Sequence, residues 1–318
     1  MNLLPLPAIE NGVDETARAV IDTPVEKWTG LDAQPAREAL AVEEPLEIQI
    51  LYGPASARRA KSISVTMRTP GHDDELAAGF LMTEGVIRDA AEIERIVCAA
   101  ATPAPAEREA ASRGDLFHRP HGNVVLVELA PGVEVSLANL ERNFYTTSSC
   151  GVCGKASLLA LRAVCPPRRK NTFSIDAGIL YSLPARLRQA QSAFERTGGL
   201  HGAGLFDTRG KLLAMREDVG RHNAVDKLLG VEFLADRTPL RDFLLLLSGR
   251  ASFELLQKAA MGGVSMVAAI GAPSSLAVAI AREFDIVLTG FLRDGHMNIY
   301  HGAQHIRRDE PARKDIRP

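Results

Sequence analysis

Two cysteines separated by two residues are the groups in this chain best suited to chemistry. Cys150 and Cys153 stand in the segment TTSSCGVCGK, which precedes the helical pattern ASLLALRAV. We therefore expect the pair on a glycine-flanked loop at a helix N-terminus, where the peptide dipoles and the nearby Lys155 lower the thiol pKa. A thiolate is the form of cysteine that attacks sulfur.

The spacing of this pair alone leaves four interpretations open. The first is half of a zinc site, although Cys98 and Cys165 are isolated and no second closely spaced pair is present. The second is a redox dithiol, although the hydroxyl run TTSS replaces the strand and aromatic residue that usually precede one. The third is a sulfur-carrying cysteine on a glycine-rich loop, and the fourth is no chemical role.

A second candidate site follows from apolar segments in the second half of the chain. FLLLL, VSMVAAI and DIVLTGF alternate with the helical patterns FELLQKAAM and LAVAIAREF, which predicts a β-α-β-α-β unit with a parallel sheet. Ligands bind such sheets at the carboxyl ends of the strands. The turns expected there are 248–250, 271–274 and 290–296. Their small residues, free backbone N–H groups and two guanidinium groups suit a phosphorylated ligand.

Two further polar segments can each be interpreted in two ways. TGGLHGAGLF and LLAMRED predict a hairpin, and His201 within it is either a turn residue satisfied by backbone or a group for ligand binding or proton transfer. EDVGRHNAVDK opens a predicted helix with many polar side chains. It is either a solvated surface or part of a polar ligand site.

Composition limits the class of protein. At roughly 150 residues per domain, 318 residues correspond to about two domains. The net charge of −2 argues against nonspecific binding of nucleic acid or of an anionic membrane surface. No apolar run reaches the roughly 18 residues of a membrane-spanning helix, and the N-terminus lacks the pattern of a signal peptide. We therefore expect a cytoplasmic protein with no membrane or nucleic-acid partner.

The chain divides into four predicted regions. Residues 1–45 lack sustained periodicity and are expected to form a flexible arm. Residues 46–145 are expected to be mainly β, with one helix over ELAAGFLMTEGVI and an Ala/Pro-rich surface insertion at 99–122. Residues 146–305 form an α/β domain with the thiol loop and the strand-end turns, and 306–318 form a tail.

Six long segments identify the family that this sequence resembles. They run in order from about residue 47 to 302: RTPGHDDELAAGFLMTEGVI, YTTSSCGVCGKASL, TGGLHGAGLF, EDVGRHNAVDKLLG, SGRASFELLQKA to GAPSSLAVAIA, and TGFLRDGHMNIY. The sequence is similar to the FdhD family, the formate dehydrogenase accessory sulfurtransferases. The resemblance favours the sulfur-carrying interpretation of the cysteine pair.

The resemblance implies a function and partners. A cysteine desulfurase would supply persulfide sulfur, which passes to the molybdenum bis(molybdopterin guanine dinucleotide) cofactor for use by formate dehydrogenase. The family's catalytic domain is similar in fold to cytidine deaminases, so the resemblance implies this fold for 146–305. It also implies a homodimer, and GDP would mimic part of the cofactor.

Site residues carry over by matching motif. The resemblance makes Cys150 the persulfide residue and Cys153 its partner, with no metal ligand. The cofactor loop falls on six consecutive residues, and the strand-end turns add two more. These eight are Phe291, Leu292, Arg293, Asp294, Gly295, His296, Ser248 and Arg250.

Two other functions compete with sulfur transfer. A noncatalytic chaperone would bind and deliver the cofactor through the strand-end turns alone, without using the cysteines. A zinc deaminase would need proline before the first cysteine and a glutamate two residues after the histidine ligand. Here Ser149 precedes Cys150 and Gly202-Ala203 follows His201, which argues against a deaminase.

Overall fold

A computed structural model of the chain describes residues 18–99, 123–135, 161–162, 165 and 170–308. The strands are β1 (Val20–Thr29), β2 (Asp32–Ala41), β3 (Glu44–Tyr52), β4 (Arg59–Arg68), β5 (Ile93–Ala99), β6 (Val124–Leu129), β7 (Ile175–Asp176), β8 (His201–Phe206), β9 (Leu212–Asp218), β10 (Leu244–Leu247), β11 (Met266–Ala269), β12 (Val287–Arg293), β13 (His296–His301) and β14 (Ile306–Arg307). The helices are α1 (Asp73–Thr83), α2 (Ala177–Ala190), α3 (Ser192–Thr197), α4 (Arg221–Leu234), α5 (Phe253–Met261) and α6 (Ser275–Glu283). The α/β fold class predicted from the sequence is confirmed.

The larger sheet has six strands in the order β13-β12-β11-β10-β8-β9. Strands β10, β11 and β12 are parallel, with α5 connecting the first two and α6 connecting the next two. The β8–β9 hairpin and β13 extend the sheet with antiparallel strands on its two sides. The β-α-β-α-β unit and the hairpin therefore form as predicted.

Side chains of the central strand alternate between two apolar layers. Leu244 and Leu246 pack in the cluster that contains Leu187 of α2, whereas Leu245 and Leu247 pack in the cluster that contains helices α4 and α5. Both faces of this strand are buried. Its sequence is therefore a continuous apolar run rather than an alternating one.

The smaller sheet has four strands in the order β4-β3-β6-β5. Strands β3 and β6 are parallel, and each pairs antiparallel with its other neighbour. The fully buried Leu46, Ile48 and Ile50 of β3 belong to the same apolar cluster as Leu76 of α1 and Leu228 of α4. One core thus continues from the smaller sheet through two helices to the larger sheet. The domain boundary at 145/146 lies outside the described residues and stays a prediction.

Helices α1 and α4 approach each other until their backbones touch. A Cβ atom added to Gly79 would lie 1.9 Å from the carbonyl oxygen of Asp226, and one added to Gly230 would lie 1.9 Å from that of Glu75. No side chain other than hydrogen fits at either position. The two glycines therefore set the distance between the helices, and with it the distance between the two sheets.

The region before β3 differs from the expectation for residues 1–45. Strands β1 and β2 pair antiparallel over ten residues each, with Gly30 at a φ of 65° in the connecting turn. The hairpin contacts α3 through a small cluster that includes Val20, Ala193 and Leu200. Residues 20–41 of the predicted flexible arm thus form a regular hairpin, and the flexibility of residues 1–45 stays a prediction. Most of its side chains are exposed, so the sequence lacks the alternation that would have indicated strands.

Gly79→Ala should destabilise the fold by about 3 kcal/mol or more, because the new methyl group cannot be accommodated without separating α1 from α4. Gly178→Ala is the matched control, since Gly178 is an exposed glycine in helix α2. That control should leave stability unchanged or raise it by up to about 1 kcal/mol. Urea unfolding of the two variants measures the difference. Equal stability of Gly79→Ala and the wild type would contradict the backbone contact.

Candidate functional site

Three turns pack together where the parallel strands of the larger sheet end. The N–H of Gly271, after β11, donates to the carbonyl of Gly249, after β10, at 3.0 Å. The N–H of Phe291, in β12, donates to the carbonyl of Gly271 at 3.1 Å. A Cβ atom on Gly271 would lie 3.0 Å from backbone atoms of Gly249 and Arg250, so glycine permits this close approach. The turns predicted to share one edge do share it.

Ser248 is fixed at this edge by the neighbouring strand β8. Its N–H donates to the carbonyl of Gly202 at 3.0 Å, and its Oγ accepts the N–H of Gly202 at 2.9 Å. Two residues further along the same turn, Arg250 is exposed, and its guanidinium has no ion-pair partner among the described residues. This turn therefore presents a positioned hydroxyl and an unpaired positive charge.

The predicted cofactor loop is the end of β12, a tight turn and the start of β13. Arg293 pairs with His296 across the turn, which Asp294 and Gly295 form. Leu292 is fully buried in the cluster with helix α2, so its side chain does not face a ligand at the surface. The other five loop residues are exposed: Phe291, Arg293, Asp294, Gly295 and His296.

Arg293 is available for an anion. Within the part of the chain that the structure describes, it has no ion pair with either of the aspartates closest to it in sequence. Asp285 instead accepts the N–H of Asn171 at 3.1 Å and lies 3.4 Å from the His301 ring. The sequence alone did not distinguish a surface ion pair from a free guanidinium here. The structure favours the free guanidinium.

A cleft opens beside these turns on the face of the sheet that α2 covers. It has a volume of about 490 Å³. The sheet side of its wall is formed by His201 of β8 and by Ser248 and Ile270, which directly follow β10 and β11. The other walls come from the end of α2, from Phe194 of α3 and from the glycines that follow α3. Sequence reasoning missed this cleft, because no local pattern relates helix α2 to a turn some 60 residues later in the chain.

Three polar side chains at and just before the start of α4 form one network. Lys227 Nζ donates to the Asp218 carboxylate at 2.7 Å and to the carbonyl of Thr69 at 2.8 Å. The other carboxylate oxygen of Asp218 accepts from the N–H of Gly220 and from the side-chain amide of Asn223. Lys227 and Asp218 are fully buried, so this network joins α4 to the segment before α1. In contrast, Arg221 Nε and His222 Nε2 are buried without a hydrogen-bond partner among the described residues.

His201 begins β8, and its ring lies against Gly249. Burial lowers the pKa of His201, and the neighbouring Arg221 and His222 lower it further. Contact with His222 in turn lowers the pKa of Glu254 to about 2. Whether it binds a ligand stays open.

The predicted persulfide residue Cys150 and its partner Cys153 lie outside the described residues. The other two cysteines, Cys98 and Cys165, are described. Partial burial and the Asp74 carboxylate raise the pKa of the Cys98 thiol to about 11. The Cys165 thiol is half-buried and donates to a backbone carbonyl at 3.5 Å.

The described residues contain neither a cluster of three or more His, Cys, Asp or Glu side chains arranged to hold a metal ion, nor a helix with the length and apolar character needed to cross a membrane.

Comparison with known proteins identifies the family. Residues 41–307 match the family model described as FdhD/NarQ family. The chain is 49% identical over 277 residues to the sulfur carrier protein FdhD of Streptomyces avermitilis, covering 85% of this chain and 89% of the relative. It is 48% identical over 272 residues to the protein of the same name from Mycobacterium tuberculosis, covering 85% and 92%.

A crystal structure supports the fold. It is of a protein from Desulfotalea psychrophila described as a candidate formate dehydrogenase accessory protein, which superposes with a TM-score of 0.63 at 21% identity and covers 91% of this chain and 100% of that one. The sequence matches extend from the end of β2 to β14 and include both sheets. This chain therefore belongs to the FdhD/NarQ family.

Proposed function

We propose that this chain is a sulfurtransferase that carries sulfur as a persulfide and serves a formate dehydrogenase. Relatives named sulfur carrier protein FdhD, matched over 85% of the chain, support this role. The sulfur donor is a cysteine desulfurase. The acceptor is the molybdenum bis(molybdopterin guanine dinucleotide) cofactor, which binds as a substrate. A homodimer is the assembly that we expect.

In the first step the Cys150 thiolate attacks the outer sulfur of the donor's persulfide. A bond forms between Cys150 Sγ and that sulfur while the bond to the donor's cysteine breaks, and the donor leaves as a thiolate. The exchange conserves sulfur–sulfur bonds, so it needs neither an oxidant nor a reductant. It needs an accessible thiolate, which the glycine-flanked loop and Lys155 are expected to provide.

In the second step the outer sulfur passes from Cys150 to the cofactor. Two electrons are required for it to leave as sulfide. Attack of the Cys153 thiolate on Cys150 Sγ supplies them, releases the sulfide and leaves a disulfide between the two cysteines, which a cellular dithiol reopens. Another small thiol can take the place of Cys153 in this attack.

The proposal that the cofactor binds here rests on two guanidinium groups at the strand ends, neither of which has an ion pair within the described residues. Arg250 and Arg293 are both exposed and belong to turns that Gly271 joins by backbone hydrogen bonds. A guanidinium forms bidentate, charge-assisted hydrogen bonds with phosphate oxygens. The edge therefore suits the diphosphate of a dinucleotide cofactor.

Cys150→Ala should reduce activation of formate dehydrogenase to background, because Cys150 is the residue that carries the persulfide in the proposed mechanism. Cys153→Ala should keep a measurable fraction, because an external thiol can release the sulfide. Cys98→Ala is the matched control and should keep full activity. The measurement is formate dehydrogenase activity in cells that carry each variant. Equal and complete loss in Cys150→Ala and Cys153→Ala would instead indicate an obligatory dithiol.

Mass spectrometry after incubation with a cysteine desulfurase separates sulfur transfer from noncatalytic delivery of the cofactor. Transfer predicts one additional sulfur atom on the peptide that contains Cys150. A chaperone that only delivers the cofactor predicts an unmodified peptide and full client activity in Cys150→Ala. These two results together would contradict the sulfur-carrier proposal.

Arg293→Ala should weaken GDP binding by about ten- to a hundred-fold, because one charge-assisted hydrogen-bonding group is lost. Arg209→Ala is the control for loss of a surface charge, since Arg209 is exposed in the β8–β9 turn. Calorimetric titration of GDP into the wild type and both variants gives the affinities. Unchanged affinity in Arg293→Ala would exclude its side chain from the site. The variant should still accept sulfur on Cys150, because loading uses different groups.

A further inference from the structure

Three buried polar atoms without a hydrogen-bond partner lie at the starts of α4 and α5, the helices on the side of the larger sheet opposite α2. They are Arg221 Nε and His222 Nε2 in the first turn of α4, and Ser252 Oγ directly before α5. No described group supplies a partner to any of them. An unsatisfied buried polar atom is destabilising, and it is retained where a ligand or an ordered water completes its hydrogen bond.

These atoms belong to one group of side chains. Arg221 and His222 lie close enough to His201, at the start of β8, for their charges to lower its pKa. His222 Nε2 is also 3.8 Å from a carboxylate oxygen of Glu254, in the first turn of α5, and Ser252 lies near the same carboxylate. The starts of three elements thus form one group, the α4–α5 cluster: His201, Arg221, His222 and Ser252.

Ser252 stands at the N-cap position of α5 but does not cap the helix. A serine at this position usually accepts the N–H of one of the first residues of the helix. Ser274 does so at the start of α6, where its Oγ accepts the N–H of Ala277 at 3.2 Å. The Ser252 hydroxyl makes no such bond, although its oxygen is buried. Its hydrogen-bonding capacity is therefore left for a group outside the helix.

The charge of the α4–α5 cluster favours an anion. Arg221 has no ion pair within the described part of the chain, and its charge disfavours a proton on His201. Arg221 Nε always carries a proton, and the serine hydroxyl can rotate to donate. An anion among these groups would accept their hydrogen bonds and offset the repulsion between the basic side chains.

The Glu254 carboxylate limits the charge of that anion. It does not satisfy the cluster itself, because 3.8 Å exceeds the length of a hydrogen bond and Ser252 Oγ is left without a partner. Contact with His222 lowers the pKa of Glu254 to about 2, so this carboxylate is ionised at neutral pH. A negative charge so close disfavours a dianion such as phosphate more than a monovalent anion.

We propose that the α4–α5 cluster binds the hydrosulfide anion, HS⁻. The second step of the proposed reaction releases this anion. The Cys153 thiolate forms a bond to Cys150 Sγ, the bond from Cys150 to the outer sulfur breaks, and that sulfur leaves with its proton and the bonding electron pair as HS⁻. The negative charge of the thiolate thus passes to the leaving group. The choice of hydrosulfide rests on the proposed function, whereas the choice of a small monovalent anion rests on the described residues alone.

Anion titrations of the reduced wild-type protein test the proposal. Bromide has the charge of hydrosulfide and a similar size, and it does not react with thiols. Calorimetry under anaerobic conditions should show binding of both anions, each displacing the other. Phosphate should displace bromide only at a concentration at least about ten-fold higher than hydrosulfide requires, because Glu254 repels its second charge.

Ser252→Ala removes one hydroxyl and should weaken binding of hydrosulfide and bromide by about two- to ten-fold. It should leave the thermal midpoint unchanged or raise it, because the free protein loses no hydrogen bond. Ser274→Ala is the matched control at an N-cap that is in use, so it should lower the midpoint and leave both affinities unchanged. Arg221→Met removes a charge and a donor, and it should weaken binding of both anions by about ten-fold or more.

Three results would overturn the proposal: a wild type that binds neither anion, wild-type affinities in both Ser252→Ala and Arg221→Met, or displacement of bromide by phosphate as readily as by hydrosulfide. None of them decides the sulfur-carrier proposal, which is tested separately by the extra sulfur on the Cys150 peptide. If that peptide stays unmodified while both anions bind, hydrosulfide is contradicted as the natural ligand and the monovalent-anion site is retained.

Discussion

Helices α1 and α4 touch through their backbones at Gly79 and Gly230, and both sheets are attached to this pair of helices. Helix α1 packs on β5 and β6 of the smaller sheet, and α4 packs on β8 and β9 of the larger one. Because the contact leaves no room for a Cβ atom, the distance between the sheets is fixed by glycine rather than by the size of a side chain. The strand β8 that positions Ser248 is therefore held from the far side of the sheet by this contact.

Buried charges strengthen the same junction. Lys227 and Asp218 form an ion pair at 2.7 Å, and Lys258 and Asp226 form another at 2.9 Å, all four with side chains at most 6% exposed. Removing one member of such a pair leaves a buried charge uncompensated, which is strongly destabilising. In contrast, three arginines beside the strand-end turns and the cleft are exposed and have no ion pair within the described residues: Arg188, Arg250 and Arg293.

The strand-end turns and the cleft extend from one point of the sheet. Ser248 marks it, because the hydroxyl is fixed by Gly202 while the side chain also borders the cleft. The strand-end turns and the cleft are therefore continuous at this residue.

The order of apolar and helical patterns along the sequence is enough to predict the elements of the larger sheet and their parallel order. Continuous apolar runs separated by helical patterns leave few other arrangements, because both faces of such strands must be buried. The sequence also identifies the family, because its six long motifs follow one another in the same order as in other members of that family. The positions of Arg250 and Arg293 at one edge followed from the same reasoning, since the carboxyl ends of parallel strands meet there.

Which side chains are buried and which polar groups find a partner depends on contacts between distant segments, so these features could not be predicted. Leu292 lies within the predicted cofactor loop yet packs in the core, because β12 continues past the last residue that pairs with β11. The polar side chains of EDVGRHNAVDK were open between surface and site. Asn223 and Lys227 both bond to Asp218, and Lys227 also donates to Thr69, some 150 residues earlier in the chain. A hydrogen bond, or the lack of one, depends on groups brought together from distant segments, and local spacing carries no information about them.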